Sequence, residues 1–360
     1  MRNIASTQPI QMDAPVTHAE ILQQPELWPV TLELVERQHF TTMFSGQAVI
    51  TGAGTSAYAA IAIAESWKTA RAVPTTDLLL DATPFFDKNG LLVSLARSGD
   101  SPESVAAIEN VQRSLPDIKH LAITCNPNGK LASAKGVEVL VLDERTNDRS
   151  LAMTSSFSNL VLAGMALRHG NRLRAVIGTV CGRVSAAFTF LEQQAQEIAS
   201  RSPSRVVVLA SRPLYGAARE ASLKILEMTG GRTVAITETF LGLRHGPMSF
   251  LRPDTLVVCL LSSDPFIRQY EEDLVEELRV KHLGHIVAVG PEESAIRLFD
   301  NFIPANAPEL PDMLRTPFEI VFPQLLAYHL SLNAGLNPDN PSPDGIITRV
   351  VKGFRIHDRQ

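Results

Sequence analysis

The chain has 360 residues, 45% of them apolar, enough to build one large or two medium globular units. A formal net charge of −5 without any Lys/Arg-rich run argues against nucleic acid or an anionic membrane surface as partner. Cys125, Cys181 and Cys259 are far apart and fit reduced core thiols rather than a disulfide frame or a C-x-x-C metal site. The start, "MRNIASTQPIQMDAP", has no apolar stretch of signal-peptide type, and runs such as "LLVSLA" and "TLVVCLL" suit buried strands but are too short to cross a bilayer. A soluble cytoplasmic protein is expected.

Residues 1 to about 16 are polar and expected to be loose, and "THAEILQQPELWPVTLELVERQ" reads as a helix that Pro25 and Pro29 break or restart. From about Gln47 onward, short β-branched runs ("AVIT", "LLVSLA", "HLAITC", "VEVLVLD") alternate with amphipathic stretches such as "PESVAAIENVQRSL". Continuous apolar strands with helical crossovers predict an α/β fold with a parallel sheet covered on both faces.

Ligands of such sheets bind at the carboxyl ends of the strands, so the strand-to-helix loops carry the functional information. The first loop lies in "VITGAGTSAYAA", where Gly52, Gly54 and Ala57 fit the G-x-G-x-x-A turn of dinucleotide-binding folds while Thr55 and Ser56 add two hydroxyls. A dinucleotide needs an acidic residue at the end of the second strand, and Asp81 in "TTDLLLDATPF" stands about there. The second loop is "ARSGDSPES", with Ser101 predicted as N-cap, Pro102 as the first helical residue, and Ser98, Gly99 and Ser101 offering donors to an anion. The third is "LAMTSSFSN", where Thr154, Ser155 and Ser156 open the helix "SNLVLAGMALRHG". Any one of these loops has an ordinary structural reading as a helix cap. Three together favour a phosphate monoester of a polyol over NAD, which would use mainly the first.

The pattern then recurs. "RVVVLASRPLYGAAREAS" restarts the strand–loop–helix motif at Arg205, and "LVVCLLSSDPF" answers "LLVSLARSGDSP". His120 and His285, and the helix ends expected at Gly170 and Gly335, are each 165 positions apart, which points to an internal duplication with a boundary near Arg201 to Ser204.

Acid–base candidates follow that boundary. "GAAREASLKILEMTGG" reads as a helix ending at paired glycines, with Glu220, Lys224 and Glu227 along one face. A solvated stripe accounts for Glu220 and Lys224, whereas Glu227, between Leu226 and Met228, is placed to be a partly buried base. His245 sits in the rigid "RHGP" turn, and no His/Asp/Glu cluster has metal-ligand spacing.

These motifs, with "EILQQP", "VPTTDLLLD", "ITCNP", "DRSLAMTSS", "LRHGP" and "NPDNPSPDGIITRVVKG", resemble the sugar isomerase (SIS) domain family in two tandem copies, specifically its AgaS branch, over nearly the whole chain from Glu20. The arrangement is similar to the isomerase half of glucosamine-6-phosphate synthase. The resemblance implies an N-terminal helical segment (1–40), a first SIS domain (41–200) and a second with a C-terminal tail (201–360), each a flavodoxin-like parallel sheet sandwiched by helices. It implies a hexose 6-phosphate substrate, no cofactor or metal, and amino-sugar isomerisation in galactosamine catabolism.

Residue by residue, it places the phosphate on Ser98 and Ser101, with the loops of Thr55, Ser56, Thr154 and Ser155 completing the pocket. Arg97 stands where the synthase has a glutamine and would pair with the phosphate or a sugar hydroxyl. Glu227 falls at the proton-shuttling carboxylate and Lys224 beside it. His245 falls at the ring-opening histidine, which in these relatives reaches in from the neighbouring subunit of a homodimer. The synthase's Schiff-base lysine has no counterpart in "NPDNPSPDGIITRVV"; Lys352 comes later, after Arg349. A non-catalytic phosphosugar sensor and an NAD-dependent dehydrogenase remain as alternative readings.

Overall fold

Among the described residues two helices precede the first strand, α1 (Val16–Leu22) and α2 (Gln24–Arg37). The computed structural model describes residues 15–38, 40, 46–87, 89–291, 296–350 and 355–357; the opening residues 1–14 and Lys352 lie outside these. The helix is interrupted at Gln23, and Pro25 starts α2 in its first turn, where a missing N–H costs nothing. Pro29 does not break the chain. It stays inside α2, whose Trp28, Leu32 and Val35 are buried.

The first half continues with β1 (Ala48–Gly52), α3 (Thr55–Ser66), β2 (Ala70–Pro74), α4 (Thr75–Leu80), β3 (Leu91–Ala96), α5 (Pro102–Ser114), β4 (Lys119–Thr124) and β5 (Glu138–Val141). A long helix, α6 (Ser155–Ser200), leads to β6 (Arg205–Ala210), α7 (Tyr215–Met228), β7 (Val234–Glu238), α8 (Phe240–Leu243), β8 (Leu256–Leu260), α9 (Pro265–Val280), β9 (His285–Gly290) and β10 (Asn301–Pro304). Two more helices, α10 (Thr316–Glu319) and α11 (Val321–Asn333), are the last among the described residues. The sheets have the orders β2-β1-β3-β4-β5 and β10-β9-β8-β6-β7, with all pairs parallel. Read from β7, the second order repeats the first, as the duplication predicts, and the middle strands β3 and β8 begin 165 residues apart, at Leu91 and Leu256.

The Gly170 expectation is only half met. The backbone leaves helical geometry at His169 (φ −124°, ψ 20°), but the helix resumes and runs on to Ser200, whereas Gly335 (φ +69°) does close α11. Among the described residues α6 is the one helix long and apolar enough to span a bilayer, which the strand-length runs had not suggested. Its first three turns, Ser155 to Ala166, are buried in the protein core, and beyond them Leu173, Ile177, Val180 and Val184 keep one face inward.

One apolar core lies between the sheets. It joins Ile50 and Val93 of the first sheet to Val208 and Val258 of the second through α2, α3, α6, α7 and α11. Smaller clusters cover the outer faces, under α4 and α5 on one side and under α8 and α9 on the other. The crossing of α3 and α7 joins the halves most closely. A Cβ at Gly216 would stand 2.7 Å from the backbone nitrogen of Ala62, so only glycine lets α7 lie this near α3. Gly216→Ala is therefore expected to destabilise the protein by about 1–3 kcal/mol through overpacking, measured by urea unfolding.

Candidate active site

A cavity of about 260 Å³ opens at the carboxyl ends of the first sheet's central strands. Two glycines shape its first wall. Gly54 adopts φ +56°, ψ −127°, a conformation side-chain-bearing residues avoid, and a Cβ on Gly52 would collide with Ser56 at 2.5 Å. The turn thus delivers Thr55 and Ser56 at the start of α3, facing the cavity. The second wall is the loop after β3. Gly99 (φ +69°) turns it, and Gly129 permits the 126–131 turn to pack against it, since a Cβ there would meet the Ser98 carbonyl oxygen at 2.2 Å. Ser98 and Ser101 line the cavity from this loop, and Pro102 opens α5 as expected. Ser101 occupies the N-cap position but makes no side-chain cap; its hydroxyl donates to Glu103 at 2.7 Å. Two helix N-termini, those of α3 and α5, therefore meet at the cavity, an arrangement that suits an anion.

The opposite wall comes from the second half. Glu227, in the last turn of α7, is part of the cavity lining and is 24% exposed at its side chain. Its carboxylate accepts a short hydrogen bond from the Lys224 ammonium, which also donates to the Thr55 hydroxyl at 3.0 Å and lies 3.4 Å from Glu220. The solvated-stripe reading of Glu220 and Lys224 is overturned: both are fully buried, because this face of α7 packs against α3. Burial alone would favour a neutral Lys224, but the charges of Glu220 and Glu227 outweigh it and raise its pKa. For Glu220 burial wins over the attraction of Lys224, and its pKa is pushed up to about 8. Near neutrality the cluster is thus a charged Lys224 facing Glu227, with Glu220 behind it holding a proton.

Arg97 also lines the cavity, but the residue is only 6% exposed and its guanidinium is engaged with backbone. It donates to the carbonyls of Ser150 and Leu151, both at 3.1 Å, and of Arg349 at 3.2 Å. Its hydrogen-bond partners are thus three carbonyls, two of them, of Leu151 and Arg349, from residues that line the cavity. The C-terminal tail forms the last side through Ile347, Thr348, Arg349 and Val350, and the Arg349 side chain returns the contact by donating to Asn147 and to the Asp148 carbonyl.

Thr154 and Ser155 do not line the cavity. They are fully buried, and the Thr154 N–H and the Ser155 hydroxyl donate to the Asp148 carboxylate, which also takes the N–H and hydroxyl of Ser156. Asp148 therefore caps α6 and engages the Ser155 and Ser156 hydroxyls, while the buried Thr154 hydroxyl makes no hydrogen bond among the described residues. Asp81 closes α4 and is not at the end of β2, which stops at Pro74, so the ribose-binding carboxylate of the dinucleotide reading is out of place. His245 is exposed on the turn after α8 and is not among the residues lining its own chain's cavity. Among the described residues no three His, Cys, Asp or Glu side chains group to hold a metal.

Sequence reasoning missed Glu20. From α1 it accepts from the Arg149 N–H at 2.6 Å and from the Ser150 N–H and hydroxyl, so it braces the segment whose carbonyls hold Arg97. Burial, then the neighbouring Asp148 charge, push its pKa up to about 7. Its only sequence signal was its place in "EILQQP".

The fold defines a protein of the tandem sugar isomerase domain class, with a serine-bearing rim and one carboxylate lining the same cavity. No family model matches the chain. Relatives do: an AgaS-type protein of Streptomyces coelicolor is 38% identical over 378 residues, covering 98% of this chain and 97% of its own. The D-galactosamine-6-phosphate deaminase AgaS of Shewanella sp. strain ANA-3 is 34% identical over 98% of this chain and 95% of its own. The crystal structure of tagatose-6-phosphate ketose/aldose isomerase from Escherichia coli superposes with a TM-score of 0.82 at 32% identity, covering 96% of this chain and 97% of that one. The C-terminal domain of glucosamine-fructose-6-phosphate aminotransferase from Francisella tularensis shares the fold at 17% identity and a TM-score of 0.76. The chain belongs to the AgaS family of SIS-domain proteins.

The Glu220 proton has a measurable consequence. With a folded pKa of about 8 against an ordinary 4.5, the folded state holds a proton that the unfolded chain has released across that window. This contribution to stability is full below the unfolded value and is lost as pH rises through the folded one. Urea unfolding from about pH 5 to about pH 8 should show stability falling in wild type and a flatter profile in Glu220→Gln.

Proposed function

We propose that the protein is a sugar-phosphate isomerase that acts on galactosamine 6-phosphate and releases ammonia and tagatose 6-phosphate. The observation that carries this reading is that Glu227 faces into the same cavity as Ser98 and Ser101. A phosphate held by the serine rim and the two helix N-termini leaves the other end of an open-chain hexose toward Glu227. The names of the relatives support the substrate class.

In this mechanism Glu227 removes the proton from C2 of the open-chain aldehyde, the C1 oxygen takes up charge, and an enolamine forms. Lys224, held against Glu227, and the α3 N-terminus stabilise that charge. Glu227 returns the proton to C1 while a proton passes from the amino group to the C1 oxygen, so C1 becomes a hydroxymethyl group and C2 an imine. Water then adds to the imine carbon, ammonia leaves, and C2 is a ketone. Incubation with galactosamine-, glucosamine- and tagatose-6-phosphate, following ammonia and ketose, tests the assignment. Tight binding without turnover across that panel would overturn it in favour of a sensor. Glu227→Gln should lose turnover by about 10²–10⁴-fold while still binding the sugar phosphate by calorimetry.

The ring-opening acid in this reading is His245 of a second copy. Its exposure in the single chain supports this, as do the exposed apolar side chains of Leu226, Val234 and Leu241 on α7, β7 and α8, a margin of the kind that subunits cover. Glu227→Gln and His245→Ala chains, each inactive alone, should recover activity when co-assembled, because one mixed site then holds both wild-type groups. Absence of recovery in a verified mixed dimer would show that each chain uses its own histidine.

A further inference from the structure

The loop after β8 stands in the second sheet where the Ser98 loop stands in the first. Each leaves the middle strand of its sheet and enters a helix with proline in its first turn, Pro102 in α5 and Pro265 in α9. The first loop presents its hydroxyls to the cavity. The second already holds an anion. Asp312, from the segment between β10 and α10, accepts the Ser263 N–H at 2.9 Å, the Ser263 hydroxyl at 2.7 Å and the Ser262 hydroxyl. Arg315 adds a guanidinium hydrogen bond to the same carboxylate at 2.8 Å.

Two hydroxyls, a backbone N–H and a guanidinium converging on one carboxylate make the donor set that also binds phosphate or sulfate. Arg315 is fully buried, and its Nη2 has no hydrogen-bond partner among the described residues, although Nη1 also donates to the Leu261 carbonyl at 3.2 Å and Nε to Glu319 at 3.2 Å. Two carboxylates stand close by: Glu271 takes the Ser262 N–H at 2.9 Å, and Glu319 takes the N–H groups of Asn306 and Ala307. Burial raises the Glu271 pKa, which favours its neutral form beside a second anion.

The two halves differ in where one carboxylate turns. Asp148 lies seven residues past the end of β5 at Val141, and Asp312 eight past the end of β10 at Pro304. Asp148 is directed to the N-terminus of α6 and makes none of its bonds to the Ser98 loop. In the second half the short α10 follows, and the aspartate reaches the serine loop instead.

We propose that the second sheet keeps an oxyanion-binding loop like that of the first, filled from within by Asp312, so that removing this side chain opens a second site for inorganic phosphate or sulfate. Each wild-type chain therefore takes up one hexose phosphate, at the Ser98 rim. That count rests on the function proposed above; the opened second site does not.

The test is equilibrium dialysis of labelled inorganic phosphate, at ionic strength held constant with chloride, on wild type, Asp312→Ala and Asp312→Asn. Asp312→Ala should bind one phosphate per chain more than wild type, and Asp312→Asn, which fills the space without charge, should bind no more than wild type. Asp312→Ala also leaves Arg315 buried without that partner, so its refolding yield is compared in phosphate and in chloride; recovery that depends on phosphate or sulfate supports the proposal. It falls if folded Asp312→Ala gains no phosphate, if the variant fails to refold in phosphate as well as in chloride, or if wild type, dialysed in parallel against labelled galactosamine 6-phosphate, binds two of these per chain. A wild type that binds none, beside an Asp312→Ala chain that gains one, would sink the proposed function and leave this inference standing.

Discussion

The site depends on a single ammonium group placed where water cannot reach it. Lys224 comes from the second half of the chain, and its partners are Glu220 and Glu227 on its own helix and Thr55 from the first loop of the other half. A buried lysine without such partners would lose its proton or unfold its surroundings. With them, the charge ties α7 to the turn that begins α3 and directs Glu227 into the cavity. The close approach of α3 and α7, possible only because residue 216 is glycine, sets how near these groups can come.

The rest of the site is held by parts distant in sequence. The Arg97 guanidinium joins the loop after β3, the segment at Ser150 and Leu151, and the C-terminal tail through three carbonyls. Helix α1 supports the same segment through Glu20, while Asp339 from the tail caps α1 by accepting the N–H groups of Val16 and Thr17. Helix α1 and the tail segment 339–349 therefore both support the wall of the first half. The cavity walls belong to both halves, so under the proposed function a phosphosugar meets groups of both.

Duplication produced two sheets of the same order but not two equivalent rims. In one, the serine loop is open and the aspartate that follows the fifth strand caps a long helix. In the other, the corresponding aspartate lies on the loop itself. The difference follows from the helix that comes next: α6 has buried N–H groups and hydroxyls that need an acceptor, and α10 is a single turn.

The central strands and the strand-to-helix loops were legible in the sequence, because buried parallel strands are continuous apolar runs and glycine and proline mark their turns. The edge strands β2, β7 and β10 were not, since half-exposed strands carry no such run. The serines after β3, the turn at Gly54, the repeat and Glu227 could be read from residue type and spacing. Tertiary packing alone decided that Glu220 and Lys224 are inside, that Thr154 and Ser155 serve Asp148, that Arg97 binds backbone, and that Glu20 and the tail complete the wall. Periodicity tells which residues share a helix face; only the neighbouring element tells whether that face meets water or a buried charge.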